Sequence, residues 1–456
     1  RIDWDTSRYP SPQEMMQNFR NETVHTIAIT EPFFTSNSGN YNYMKENGFF
    51  SDDHVENMDW LQSEHVGLID VTKKEAIDWF KELYKKRTLE GIDGWWLDLG
   101  EPEKHDDEST YVLGDIKQVH NEYGNRWCEF VIEALRECKP DARHILMPRA
   151  GTSGMQRFNT FPWTGDILRD WGGLQAQVPA LVSGAMSGVS YLGSDIGGFS
   201  SWYGTKADLY RRWVQLGVFY PSMRTHSQDK PEVWRDEYLS VRDDVRKAIN
   251  MRYAYLPYTY TQSYAYTRYG TPIARPANFA DADKTVLSNC IDAYLWGPDV
   301  YVAPVLTEND TRSITFPEGD WLDMNDFKSV YAGHTTTSYY ASKSTIPHFM
   351  RRGSFVTRYR QDSFTNTAEI ETDRITVHYF PSKGDIHDSG IFYDDDHTSV
   401  SPIENRRFVL THFTGEKSAN GGIVINITRD GDGWDGIYDG KMQDMMFAIH
   451  GLDFIG

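Results

Sequence analysis

Four segments of the chain end in groups that can move protons or hold hydroxyls. In Gly94-Trp95-Trp96-Leu97-Asp98-Leu99-Gly100-Glu101-Pro102 an apolar run stops on a carboxylate and passes into a Gly/Pro loop. A carboxylate at a strand end is held rigidly, as a nucleophile attacking a fixed carbon must be. The second segment runs from Arg149 to Pro162-Trp163-Thr164-Gly165-Asp166, and its first part is too rich in glycine and polar residues for a core element. Cleavage of a glycosidic bond needs two carboxyl groups flanking that bond, and Asp98 and Asp166 are candidates for the pair. The third, Ser194-Asp195-Ile196-Gly197-Gly198-Phe199, sets paired glycines, which let backbone approach a ligand, beside a ring able to stack. The fourth, Phe219–His226, ends in Arg224 and His226, a cation and an imidazole. Individually each has a plainer use. Asp98 and Asp166 also suit caps, turns or ion pairs, Asp195 a Gly-rich turn, and His226 a satisfied structural position.

Parallel strands alternating with helices would position such groups. From about residue 25 to about residue 270, short apolar runs alternate with longer amphipathic ones, the pattern of βα units. The predicted strands are Thr26–Thr30, Gly94–Asp98, His144–Arg149, Gly188–Ser194 and Val218–Met223, with a helix over Lys73–Lys86. Polar residues close each strand, and barrels place their chemistry at those C-terminal strand ends. Beyond residue 277 the segments Asp299–Leu306, Arg312–Phe316, Ile375–Phe380 and Gly422–Thr428 are short, β-branched and separated by Gly, Pro, Asn and Asp. That texture predicts antiparallel β modules, with a turn at Arg351-Arg352-Gly353. The expected fold class is therefore α/β, a (β/α)8 TIM-type barrel followed by C-terminal antiparallel β-sandwich domains. The expected division is 1–277 for the barrel, 278–357 for a proximal β-sandwich domain and 358–456 for a distal β domain.

The four segments in this order resemble glycoside hydrolase family 31. That family carries a Trp-x-Asp-x-x-Glu segment, an Arg-rich stretch ending in Trp-x-Gly-Asp, an Asp-Ile-Gly-Gly-Phe turn and an Arg-x-His strand end. Here these stand as Trp96–Glu101, Arg149–Asp166, Asp195–Phe199 and Arg224–His226. Leu295-Trp296-Gly297-Pro298-Asp299 through Ala303-Pro304-Val305 extends the resemblance into the β region. It implies Asp98 as the nucleophile that forms a glycosyl-enzyme and Asp166 as the acid/base. It also implies that Arg149, Asp195 and His226 hydrogen-bond hydroxyls of the sugar, while Trp96, Trp163 and Phe199 line its subsite. Glu101 is expected to orient the loop after the nucleophile, and Arg224 to support the site. The wording around Asp98 and of Gly154-Met155-Gln156-Arg157 looks closer to bacterial members acting on dextran-type α-glucans than to animal digestive ones.

The chain departs from the family's pattern at its start. Two barrel strands and a preceding β-sandwich domain are expected to be missing, making the barrel N-terminally incomplete. Arg1 would stand at or beside a substrate-binding acidic position, with Asp3 as the nearby candidate. The polar insertion Glu103–Gln118 reads as a wall of the aglycone side or as a solvated loop. Tyr393-Asp394-Asp395-Asp396-His397 reads as a calcium site or, as in the family's distal domain, a tight turn.

Composition narrows the partners. The 66 acidic residues against 46 Lys plus Arg leave a net charge of −20, which opposes nucleic acid and anionic membrane surfaces. No run of about 18 apolar residues occurs, so no membrane span is predicted. The 14 dispersed histidines supply no metal-ligand cluster, and no cofactor or metal is expected. Three cysteines, Cys128, Cys138 and Cys290, argue against a disulfide framework and are expected as buried free thiols. A periplasmic or secreted location is expected in preference to a cytoplasmic one. The expected function is retaining hydrolysis of α-glycosidic, above all α-glucosidic, bonds of oligo- or polysaccharides. The competing readings are an α-transglucosylase of the same family and a non-catalytic carbohydrate-binding barrel. A metal-dependent hydrolase is disfavoured by the absence of a ligand cluster.

Overall fold

The computed structural model describes residues 2–451 except 57, 201–205, 229–231, 385, 419, 421, 434–436 and 439–442. Two compact units emerge, Arg1–Trp163 and Thr164–Gly456.

The first unit is organised around three parallel strands, with Gly94–Leu97 between Ile27–Thr30 and Ile145–Pro148. Glycine at 94 is required by close approach, since a Cβ there would stand 2.5 Å from Ile145 Cγ2 and 2.9 Å from its carbonyl oxygen. Two helices cover this sheet, Lys74–Leu89 and Ile116–Cys138. The second starts at Asp115, whose carboxylate accepts from the Gln118 amide while the Gln118 side chain accepts from the Asp115 amide. Such a reciprocal cap satisfies two of the orphan donors at a helix start. Phe80 and Tyr84 of the first helix meet Phe130 of the second. The Tyr84 hydroxyl bonds Thr30 Oγ1 at 3.0 Å and accepts from Trp127 Nε1 at 3.0 Å, tying strand to both helices. A small antiparallel sheet of Phe33–Thr35, Val66–Ile69 and Phe50–Asp52 completes the unit. On its far side Ile27–Thr30 has no strand partner among the described residues, and Ile27 and Ile29 are 39% and 50% exposed.

In the second unit Gly193–Ile196 and Ser222–Thr225 pair in parallel, which puts Asp195 opposite Arg224. Helices Trp171–Met186, Ala207–Gly217, Arg242–Ala254 and Leu256–Tyr269 accompany them. An antiparallel six-stranded sheet follows, ordered Ala274–Pro276, Tyr294–Trp296, Val300–Val302, His348–Arg351, Asp320–Asp323, Val330–Ala332. Two three-stranded sheets lie beyond it, one from Ser354–Tyr359, Arg374–Phe380 and Asp444–Ile449, the other from His387–Asp395, Phe408–Lys417 and Ile423–Asp430. One pairing is not antiparallel, because Asp444–Ile449 joins Arg374–Phe380 in parallel. No helix among the described residues is long and apolar enough to cross a membrane.

Several expectations shift. The strand expected at Gly188–Ser194 begins only at Gly193, because Gly188 and Val189 donate back to Ala185 and Gly184 and close the preceding helix. Likewise Val218, Phe219 and Tyr220 donate to Gln215, Leu216 and Gly217, so that strand starts at Ser222. Of the cysteines only Cys128 is fully buried, while Cys138 and Cys290 are half-buried. The carboxylates of Tyr393–His397 are engaged by protein donors, Asp394 by His397 and Tyr438, Asp395 by Tyr260 and Tyr393. Asp3 pairs with Arg87 Nη2 at 2.6 Å, and Arg1 lies outside the described residues.

Candidate active site

The expected site residues fall in both units. In the first, Asp98 follows the central strand. Its amide donates to the Thr30 carbonyl at 2.9 Å, continuing the ladder by one residue, and the Leu99 amide donates to its Oδ1 at 2.9 Å. Leu99 adopts a left-handed φ of 60°, which turns the chain sharply after the carboxylate. Arg149 arrives from the neighbouring strand, its amide bonded to the Leu97 carbonyl at 3.0 Å. Its Nη1 stands 3.5 Å from Asp98 Oδ1, with side chains 12% and 19% exposed. Glu101 grips the same guanidinium through two bonds of 2.8 and 3.0 Å, and Glu103 through one of 2.5 Å. Three carboxylates thus surround one cation, and the arginine is driven further into its charged form by Glu101 and Glu103 against the cost of burial. Trp96, on the central strand two residues before Asp98, meets Trp163 edge to face at 5.6 Å.

In the second unit Asp166 sits exposed in a bend after Gly165, whose φ is +74°, and its carbonyl accepts from Ser200 Oγ at 3.1 Å. Asp195 is fully buried and paired with Arg224 from the adjoining strand, the partner that its register position dictates. The two glycines after it have φ of +94° and +84°, and a Cβ on Gly198 would lie 2.5 Å from Arg169 Cα. Arg169 itself donates to the Phe199 carbonyl at 2.9 Å, locking that turn onto the segment after Asp166. Phe199 stacks on His226 at 5.2 Å and 24°. Burial and the nearby Arg224 cation push the His226 imidazole down to about 4, so it is neutral near pH 7.

This arrangement accords with known proteins. The TIM-barrel domain of glycosyl hydrolases family 31 matches residues 1–262, and the family's C-terminal domain matches residues 270–356. The chain belongs to glycosyl hydrolase family 31. Its TIM-barrel domain is therefore followed by β-rich C-terminal domains. Alpha-glucosidase 2 of Bacillus thermoamyloliquefaciens is 27% identical over 470 residues, covering 98% of this chain and 57% of the relative. Neutral alpha-glucosidase AB of Homo sapiens is 26% identical, over 94% of this chain and 47% of its own. A Flavobacterium johnsoniae GH31 dextranase complexed with glucose superposes with a TM-score of 0.85 at 27% identity, over 95% of this chain and 55% of that one. The chain thus spans about half the length of the relatives it matches.

Within the family frame, the first unit brings together Trp96, Asp98, Glu101, Arg149 and Trp163. The second brings together Asp195, Arg224, Phe199 and His226, with Asp166 joined to the same turn through Ser200. Two residues at these positions were not foreseen. Glu103 had a weak signal, a second carboxylate two places after Glu101. Arg169 had none, because its bond to Phe199 crosses 30 residues of sequence.

Proposed function

We propose that the protein is a retaining α-glycoside hydrolase whose nucleophile is Asp98 and whose acid/base is Asp166. The observation that carries this is a half-buried carboxylate at a strand end with an arginine Nη1 3.5 Å away. A cation there stabilises the negative charge of the attacking carboxylate. In the first step an Asp98 oxygen bonds to the anomeric carbon as the bond to the leaving oxygen breaks, and Asp166 donates its proton to that oxygen. In the second, Asp166 takes a proton from water, the hydroxide bonds to the anomeric carbon, and the Asp98 ester is released. Asp195, His226 and Arg149 hold ring hydroxyls, and Trp96, Trp163 and Phe199 enclose the sugar. Glu101 and Arg224 act through Arg149 and Asp195. The alpha-glucosidase and dextranase names of the relatives support α-glucosidic oligo- or polysaccharides as substrates. The net charge of −20 supports a neutral substrate rather than nucleic acid. The division 1–277, 278–357 and 358–456 is proposed with it. If an acceptor sugar replaces water in the second step, the same residues catalyse α-glucosyl transfer.

The test is a panel of aryl α-glycosides and α-glucans, with the product anomer followed by NMR. An α product released first, together with a fluoroglycoside adduct on Asp98 by mass spectrometry, is expected. Asp98→Ala forms no adduct, whereas Asp166→Ala accumulates one. An inverted product, or wild-type turnover in both variants, overturns the assignment.

A further inference from the structure

The anchoring of Arg149 gives Glu103 a task. A guanidinium offers five N–H groups in a fixed fork. Nε donates to Glu101 Oε1 at 2.8 Å, and Nη2 donates to Glu101 Oε2 at 3.0 Å and to Glu103 Oε2 at 2.5 Å. Those three bonds use the Nε hydrogen and both Nη2 hydrogens. The Nη1 hydrogens are left to face Asp98 Oδ1, 3.5 Å away. Glu101 alone forms a planar fork about which the pair can rock. A second carboxylate at Nη2, reached from two residues further along the loop, fixes the remaining freedom.

We propose that Glu103 is a positioning residue for the nucleophile, acting through Arg149, and the proposal rests on the reading of Asp98 given above. It makes the insertion that begins at Glu103 part of the site's alignment. Glu103 is 39% exposed, so its ion pair contributes little to global stability. Its effect is on geometry, where a small displacement of a reacting group costs far more in rate than in binding. As Asp98 bonds to the sugar its charge is lost, and the arginine it shared is retained by Glu101 and Glu103. The anchor therefore keeps the cation in place for the second step, when the carboxylate must leave.

Wild type, Glu103→Gln and Glu103→Asp are compared on an activated aryl α-glucoside and in inactivation by a fluoroglycoside. In Glu103→Gln, kcat and the inactivation rate fall by about tenfold or more, while KM changes by less than about threefold. The melting temperature stays put, and Glu103→Asp, which keeps the charge, recovers part of the rate. Wild-type kcat in Glu103→Gln overturns the proposal, as does a rate loss matched by a loss of melting temperature. If the wild type cleaves no α-glycoside, it is the reading of Asp98 that fails. A crystal structure of Glu103→Gln then decides the anchor: a guanidinium swung away from Asp98 supports it, and an unchanged pose overturns it.

Discussion

At the scale of single residues, charge is placed to be fixed. Arg149 is held by two carboxylates on one edge and faces a third on the other, and Asp195 is buried opposite Arg224. Truncating one member of such a group leaves its partner uncompensated. His226 is different, since its low proton affinity comes first from burial and then from Arg224. An NMR titration of its ring is expected to show a midpoint near 4 rather than 6.5, and a midpoint above about 7 would remove the neutral imidazole from the mechanism. Removing the neighbouring charge in Arg224→Met should raise that midpoint while leaving the part due to burial.

At the scale of elements, the strand before Asp98 tolerates no side chain at its first position. Gly94→Ala drives a Cβ into Ile145, and a destabilisation of about 1–3 kcal/mol is expected from such overpacking, measurable by denaturant unfolding. The strand itself was legible because four apolar residues run into a charge. Its partner Ile145–Pro148 was legible for the same reason. The strands at Gly193 and Ser222 were displaced because Val189, Val218 and Phe219, which look like strand residues, close helices instead. A short buried apolar run carries no periodicity that separates these uses. Val66–Ile69, fully buried, was missed on the same ground. Within the site, Asp98 and Asp166 stood out only through their order beside Asp195 and His226. The grip of Glu101 and Glu103 on Arg149 spans 48 and 46 residues, and no local pattern reports a contact made by the fold.

At the scale of the molecule, buried titratable groups set the response to acid. His348 is fully buried, donating from Nδ1 to the Ile346 carbonyl and accepting at Nε2 from the Tyr255 hydroxyl, and burial pushes it down to about 3. His378 is likewise lowered to about 3 by burial and the Arg358 cation. In both, the unfolded chain takes the proton first, so their stabilisation is complete above about 6.5 and is lost as pH falls toward 3, at up to about 1.4 kcal/mol per unit each. Asp299 opposes them, because burial raises its carboxyl to about 7 and its protonated form favours the fold as pH falls from 7 to 3.8. These two histidines, joined by His226 with its midpoint near 4, outweigh the one carboxyl and leave a net loss. Melting temperatures recorded from pH 7 down to about pH 4 should therefore decline, and His348→Gln should flatten the decline. A flat profile for the wild type would contradict the neutral state of both rings. The Ile27–Thr30 strand bears on handling as well as on architecture. Among the described residues its outer edge has no strand partner, and Ile27 and Ile29 project from one face into solvent, so this stretch works like an uncovered adhesive strip, and copies of this chain should stick along it as concentration and salt rise. Light scattering that grows with concentration, and that Ile29→Lys suppresses without lowering the melting temperature, is the signature to look for.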